Sequence, residues 1–352
     1  MSTPDVVPPR GEHLVNLPGA VQLKSGEKMV VKRVECPAGD YAEPLANFLE
    51  HKRDTTFRDF KQRLRGDYAR DSLDRFFVGE IDGEIVSQMG YMLPREAMDV
   101  GVFGHVYTAR KHRGKGAASI LMQYCMDDFN AGEGKALFCG VGQEHAQRLY
   151  ARYGFTPLFE ERAPLGPQGY IRPRLARDFE ELQKIFFAPG QPTRIRPAHM
   201  GDRPKVDKIL LQSDGGRAEM GSRHRSALAG VFSDFVTMFQ AMKDKRGPLF
   251  MLETDERRVV GYSFAFSAGS SVECDAKFLD FLVHPNYCKQ EARLIAETIE
   301  RTEARSVRLL VPASDERRLT VARAAGMDRE CVLSGYCTLG GKPVDLHVLV
   351  SR

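Results

Sequence analysis

FGHVYTARKHRGKGAASILM, the stretch from Phe103 to Met122, is where the fold is decided. Phe103 to Thr108 is apolar and β-branched enough to form a buried strand. A basic, glycine-containing turn follows, Arg110 to Gly116. Ala117, Ile120, Leu121, Tyr124 and Cys125 then recur at helical spacing. The order is strand, glycine loop, helix. Glycines let backbone N–H groups approach a ligand closely, because no Cβ stands in the way. A helix starting just past them adds unpaired N–H donors and the positive end of its dipole. Together these form an anion site suited to a phosphate or pyrophosphate. Two nucleotide motifs with the same physics fit badly. G-x-x-x-x-G-K-[ST] is absent, and G-x-G-x-x-G fails at its third glycine, since Gly114 and Gly116 are followed by Ser119. The loop alone therefore predicts a phosphate cradle and does not name the ligand.

The rest of the chain narrows the class. With 352 residues it is long for one core, and two domains are expected. Basic and acidic residues number 51 and 47, a balance too even to point to nucleic acid. No apolar run reaches transmembrane length, and MSTPDVVPPRGEHLVNLPG lacks the charged-then-apolar order of a signal peptide. The seven cysteines include no C-x-x-C pair. Cys125, Cys139 and Cys288 fall in periodic or apolar segments and read as small buried hydrophobes. A cytoplasmic setting is expected, without nucleic-acid or membrane partners and compatible with a homo-oligomer. No His/Cys/Asp cluster has metal-ligand spacing, so no metal is expected.

Residues 1–28, with Pro4, Pro8, Pro9 and Pro18, read as an irregular arm. Met29 to Val34 is a strand. Tyr41 to His51 and Thr55 to Leu64 are amphipathic helices. Phe76 to Ile81 and Glu84 to Tyr91 flank Asp82-Gly83 as a hairpin. After the central stretch come a strand at Ala136 to Val141, a helix at Gln143 to Tyr153 with Gly154 as its stop, and a strand from Phe155. That order is α/β with a mixed sheet. Prolines between 162 and 193 mark a linker region that contains a helix, Phe179 to Phe187. Either YIRPRLARDF or TRIRPAHMGD can open the second domain, and the length of the first half favours the one near Thr193.

The second half repeats the pattern. It has a strand at Arg194 to Arg196, helical periodicity from Ser226 to Met242, and a hairpin of Phe250 to Thr254 with Arg258 to Phe266. A strand at Phe278 to Val283, a helix at Gln290 to Arg301, a strand at Val307 to Val311 and a helix from Glu316 closing on Gly326 follow, with two final strands.

The first half resembles the GNAT superfamily of acyl-CoA-dependent N-acetyltransferases. The loop matches R-x-x-G-x-A with Arg113, Gly116 and Ala118. The later helix and strand match A-x-x-L-Y-x-x-x-G-F with Ala146, Leu149, Tyr150, Gly154 and Phe155. The resemblance covers roughly residues 29–175. Gln143 stands where the family often has Asn. The second half resembles the same fold with its chemistry removed: VHPNY, Val283 to Tyr287, leads into Cys288, Lys289, Gln290 and Glu291 in place of Arg-Gly-x-Gly, and Ala322 stands where Tyr150 does. The resemblance thus implies two tandem GNAT-like domains, each a mixed, mostly antiparallel sheet flanked by helices. Their expected extents are an arm at 1–28, an active domain at 29–175, a linker at 176–192 and a degenerate domain at 193–352.

It further implies an acetyl-CoA-dependent transfer of acetyl to a primary amine, direct and within a ternary complex. The acceptor is expected to be a small molecule or a peptide end. Cofactor contacts are expected at Tyr107, Thr108, Arg113, Gly114, Lys115, Gly116, Ala117, Ala118 and Gln143. Tyr150 is the general acid by resemblance, since a phenol near ~10 suits a thiolate whose thiol lies near ~8.5. His105 is a candidate base on the key strand, with Asp99 and Glu96 as alternatives acting through water. His112 and Lys111 lie beside the cradle, and His145 near the start of its helix. The rival reading is a CoA-binding regulatory or scaffold protein without turnover.

Overall fold

The computed structural model describes residues 14–51, 55–97, 99–158, 168–174, 176–211, 234–267, 275–339 and 341–351. The chain divides into two compact units, Met1–Leu182 and Gln183–Arg352.

The first unit contains β1 (Leu14–Gln22), β2 (Lys28–Glu35), α1 (Ala42–Phe48), α2 (Thr55–Arg65), β3 (Ser72–Ile81), β4 (Glu84–Pro94) and β5 (Val100–Thr108). It continues with α3 (Ala117–Ala131), β6 (Ala136–Val141), α4 (Glu144–Ala151), β7 (Thr156–Pro157) and β8 (Gln168–Pro173). The strands form one sheet in the order β1-β2-β3-β4-β5-β6-β8-β7. The β3–β4 hairpin turns on Asp82 and Gly83, both at positive φ (51° and 82°), as a two-residue turn of this kind requires. Alternation along β3 divides the core. Leu73 and Phe77 pack with α3 and α4, while Phe76 and Val78 pack with Leu45, Phe60 and Leu64 of α1 and α2.

Leu14–Gln22 corrects the expected arm. It is an edge strand antiparallel to β2, and its register shifts between Asn16 and Ala20. Pro18 and Gly19 fall in that shift, which breaks the alternation by which a strand is read. Gln168–Pro173 pairs with β6 inside the first sheet. The expected linker contains a packed helix, α5 (Phe179–Phe186), with Phe179, Leu182, Phe186 and Phe187 buried.

Two features of β5 open the sheet. Gln88 pairs with Tyr107 and Gly90 with Gly104, so β5 carries an extra residue as a bulge. His105 lies in the bulge at φ 55°. The parallel pairing with β6 covers only Val100 to Val102. Beyond it the two strands part.

The second unit contains β9 (Thr193–Pro197), α6 (Phe235–Lys243), β10 (Leu249–Thr254), β11 (Val259–Phe266), β12 (Ala276–Val283), α7 (Glu291–Glu300), β13 (Ser306–Pro312), α8 (Glu316–Ala324), β14 (Asp328–Leu339) and β15 (Lys342–Ser351). Of the helix expected from Ser226, residues 226–233 lie outside the described residues. The sheet order is β14-β15-β13-β12-β11-β10-β9. This repeats β7-β8-β6-β5-β4-β3-β2 strand for strand, including the inverted last hairpin and the single parallel pair, here β12 with β13. The fold is thus α/β, with two tandem GNAT-like sheets flanked by helices. Cys125 and Cys139 are buried as expected, but Cys288 is exposed on the 3₁₀ turn before α7.

Candidate active site

A cleft of about 900 Å³ lies where β5 and β6 part. Val106, Tyr107 and Thr108 line it from β5, Gly140 and Val141 from β6. The glycine loop and the first turn of α3 close one end, and α4 contributes Ala146, Leu149 and Tyr150. Gly114 and Gly116 take φ of 77° and 97°, and Gly116 caps α3 in the left-handed conformation. A side chain there would be strained, so the sharp turn that aims the helix start at the cleft depends on glycine.

Of the expected cofactor residues, Tyr107, Thr108, Arg113, Gly114, Gly116, Ala117, Ala118 and Gln143 all line the cleft. Lys115 does not. Its ammonium turns away to Glu27, 2.7 Å from Oε2. Arg113 folds over the Tyr107 ring, 5.6 Å from its centroid, and its Nε donates to the Thr108 carbonyl at 3.0 Å. Lys111 pairs with Glu84 at the surface, whereas His112 is buried and reaches the cleft.

Tyr150 is anchored in the core, edge-on to Phe103 at 5.3 Å. Burial, helped slightly by Cys139, pushes its phenol above the ordinary tyrosine value. It stays protonated throughout the physiological range, as a proton donor must.

His105 is set apart from the cleft. It stacks on Phe60 at 4.4 Å, and Nε2 lies 2.9 Å from Arg63 Nη1. A guanidinium only donates, so Nε2 accepts and the ring is the neutral Nδ1–H form. Arg63 is itself buried against Asp74, with Nε donating to Oδ1 at 2.5 Å. Protonating Nε2 would break this bond and set imidazolium against guanidinium. Asp99 and Glu96 stand at the opposite end of β5 and do not line the cleft either.

Histidines that do line it are His51, His112 and His145. His51, at the end of the first helical segment, lies on the Tyr107 ring with centroids 4.2 Å apart. Lys24, Arg110 and Arg152 are further lining residues that sequence reasoning missed. Lys24 comes from the segment read as an arm. The other residues carry no local signal that separates them from solvated charges.

The corresponding place in the second unit is filled. Parallel pairing of β12 with β13 ends at Leu279. Arg318 of α8 occupies the gap, only 2% exposed, with Nη2 2.5 Å from Asp280 Oδ1 and Nη1 donating to the Phe281 carbonyl at 3.0 Å. Counted back from the closing glycines Gly154 and Gly326, Arg318 stands where cleft-lining Ala146 stands. Where α7 begins, buried Glu291 takes two hydrogen bonds of 2.5 Å from Arg317.

Residues 41–155, from just before α1 to the strand after α4, match the acetyltransferase (GNAT) family model. The chain carries a GNAT acetyltransferase domain. Solved structures similar to it include a GNAT-superfamily phosphinothricin acetyltransferase from Sinorhizobium meliloti in complex with acetyl-CoA, at 13% identity and a TM-score of 0.37 over 45% of this chain and 87% of that one. A GNAT-family acetyltransferase from Streptococcus pneumoniae is similar at 13% identity and a TM-score of 0.38, covering 46% and 99%. An N-acetyltransferase from Staphylococcus aureus is similar at 14% and 0.35, covering 46% and 98%. No curated protein matches the chain. Among the described residues no helix is long and apolar enough to cross a membrane, and no cluster of three metal-ligating side chains occurs.

Proposed function

We propose that the GNAT domain binds acetyl-CoA in the cleft between β5 and β6 and transfers its acetyl group directly to a primary amine. The observation that carries this is the meeting, on one cleft, of the glycine cradle, the parted strand ends and Tyr150. Acetyl-CoA supplies an activated thioester carbonyl. Everything else is the work of this chain. The loop Arg113 to Ala118 offers backbone N–H groups and positive charge to the pyrophosphate. The parted strands offer a slot for the extended pantetheine, with the backbone near Tyr107 and Thr108 facing the thioester oxygen. Tyr150 gives its proton to the departing thiolate. Among the described residues no hydrogen bond ties its hydroxyl to the protein. Of the cleft histidines we assign the amine proton to His51, whose contact with the Tyr107 ring supports this reading, in place of His105.

The second unit, 193–352, is a degenerate repeat without a cofactor site of its own. Two observations favour this: Arg318 lies in the gap of the parted strands, and a buried carboxylate, Glu291, occupies the first turn of α7, where the first unit has Ala117 after its cradle glycine.

The test is thiol release from acetyl-CoA across a panel of primary amines, amino acids and peptides. Release that depends on one acceptor class, with one acetyl-CoA bound per chain, is expected. Tight CoA binding with no acceptor ever acetylated would replace the enzyme by the regulatory reading.

A further inference from the structure

We propose that Lys24, on the turn between β1 and β2, is the cation that clamps the cofactor pyrophosphate, and that Lys115 of the cradle motif is not. The proposal rests on the acetyl-CoA reading above and deepens it.

Three observations converge on the turn. First, it is fastened to the cradle through its backbone, the Lys24 N–H donating to the Lys115 carbonyl at 3.0 Å. Second, the Lys24 side chain lies over the cradle itself. A methyl group placed on Gly116 would stand 3.8 Å from Lys24 Cγ and 4.0 Å from Cε. The stem therefore passes over the residue that caps α3, and Lys24 lines the cleft. Third, the charges are already divided. Glu27, three residues on, accepts from Lys115 Nζ at 2.7 Å and lies 3.7 Å from His112 Nδ1. Hydrogen bonds from Lys115 and Ser25 hold its carboxyl below the ordinary value, so it stays an anion. Lys115 is thereby both neutralised and turned out of the cleft. Lys24 has no ion pair among the described residues. The sorting is physical: one carboxylate fixes Lys115, and the neighbouring turn adds the Lys24 ammonium to the cleft beside Arg110 and Arg113. Among the described residues the sheet of the second unit ends at β9 with no counterpart of β1, and the cradle glycines are missing from its sequence as well.

The experiment is titration of the full chain with acetyl-CoA and with 3′-dephospho-acetyl-CoA, alongside KM and kcat. An exposed charge–phosphate contact is worth about tenfold in affinity. Lys24→Ala is expected to weaken both ligands by about tenfold, raising KM while kcat holds. Lys24→Arg should restore most of the loss, and Lys115→Ala should cost under about threefold. Lys24 is exposed, so an unchanged melting temperature serves as the control for folding. Unchanged affinity in Lys24→Ala, or a loss confined to the ligand that carries the 3′-phosphate, would overturn the clamp while leaving the acetyl-CoA reading intact. A wild-type chain that binds neither ligand would overturn that reading and the clamp together.

Discussion

In the proposed mechanism Tyr150 donates a proton and His51 accepts one, and the surroundings of each residue bear on that role. The Tyr150 ring is wedged against Phe103 and Phe155, so Tyr150→Phe keeps the packing and removes only the proton donor. We expect kcat to fall by about 100-fold or more, with acetyl-CoA affinity unchanged. Equal kcat in the two proteins would remove Tyr150 from the mechanism. His51 and His105 make opposite expectations. His51→Ala should lower kcat by about 100-fold and remove the acid limb of the pH–rate profile. His105→Ala should leave that limb in place and cost stability instead, because it strips Arg63 of an acceptor inside the core. A lost acid limb in His105→Ala would reverse the assignment. The sequence could place His105 on the strand but could not reveal that its lone pair is taken by Arg63, a residue 42 positions away.

The strand–loop–helix element occurs twice, with opposite outcomes. In the first copy, glycines at positive φ and small Ala146 leave the strand gap open. In the second, α8 drives Arg318 into the gap against Asp280. Arg318→Ala would strand a buried carboxylate, and we expect the second unit to lose about 3–5 kcal/mol. Replacing the pair together, Arg318→Met with Asp280→Leu, should cost far less, since no charge is left unpaired. Thermal unfolding of the three proteins checks this, and equal losses would show that the pair does not hold the gap shut. The missing glycines of the second cradle were legible from Cys288 to Glu291. The Arg318 plug was not, because a helix pattern gives the face of a residue but not what the opposite strand leaves for it.

Taken whole, the molecule holds its two sheets with different charge arrangements, and the second has an acid-sensitive seam. Glu253 on β10 is buried between Arg194 and Arg196 of the edge strand β9. Burial alone would raise its carboxyl, but Arg196 above all, with Arg194 and Lys205, holds it down at about 2 instead of 4.5. A depressed carboxyl contributes its stability above about pH 4.5 and loses it as pH falls towards 2. The contribution is on the order of 3 kcal/mol. Denaturant unfolding from pH 7 to pH 2.5 should show that loss, and Glu253→Gln should flatten that part of the curve. An unchanged curve in the variant would place the seam elsewhere. The chain's own residues determined the order of elements, its recurrence in the second half and the glycine turn before α3. Hydrophobic period and turn chemistry are local, and they act through neighbours in the chain. Tertiary structure alone decided that β1 joins the sheet, that Lys24 lies over Gly116 while Glu27 takes Lys115, that His105 belongs to Arg63, and that one of the two corresponding gaps is open. Each depends on which distant side chain arrives at a given place, and that is fixed by the bulge in β5, the point where parallel pairing stops, and the packing of whole elements across the sheet.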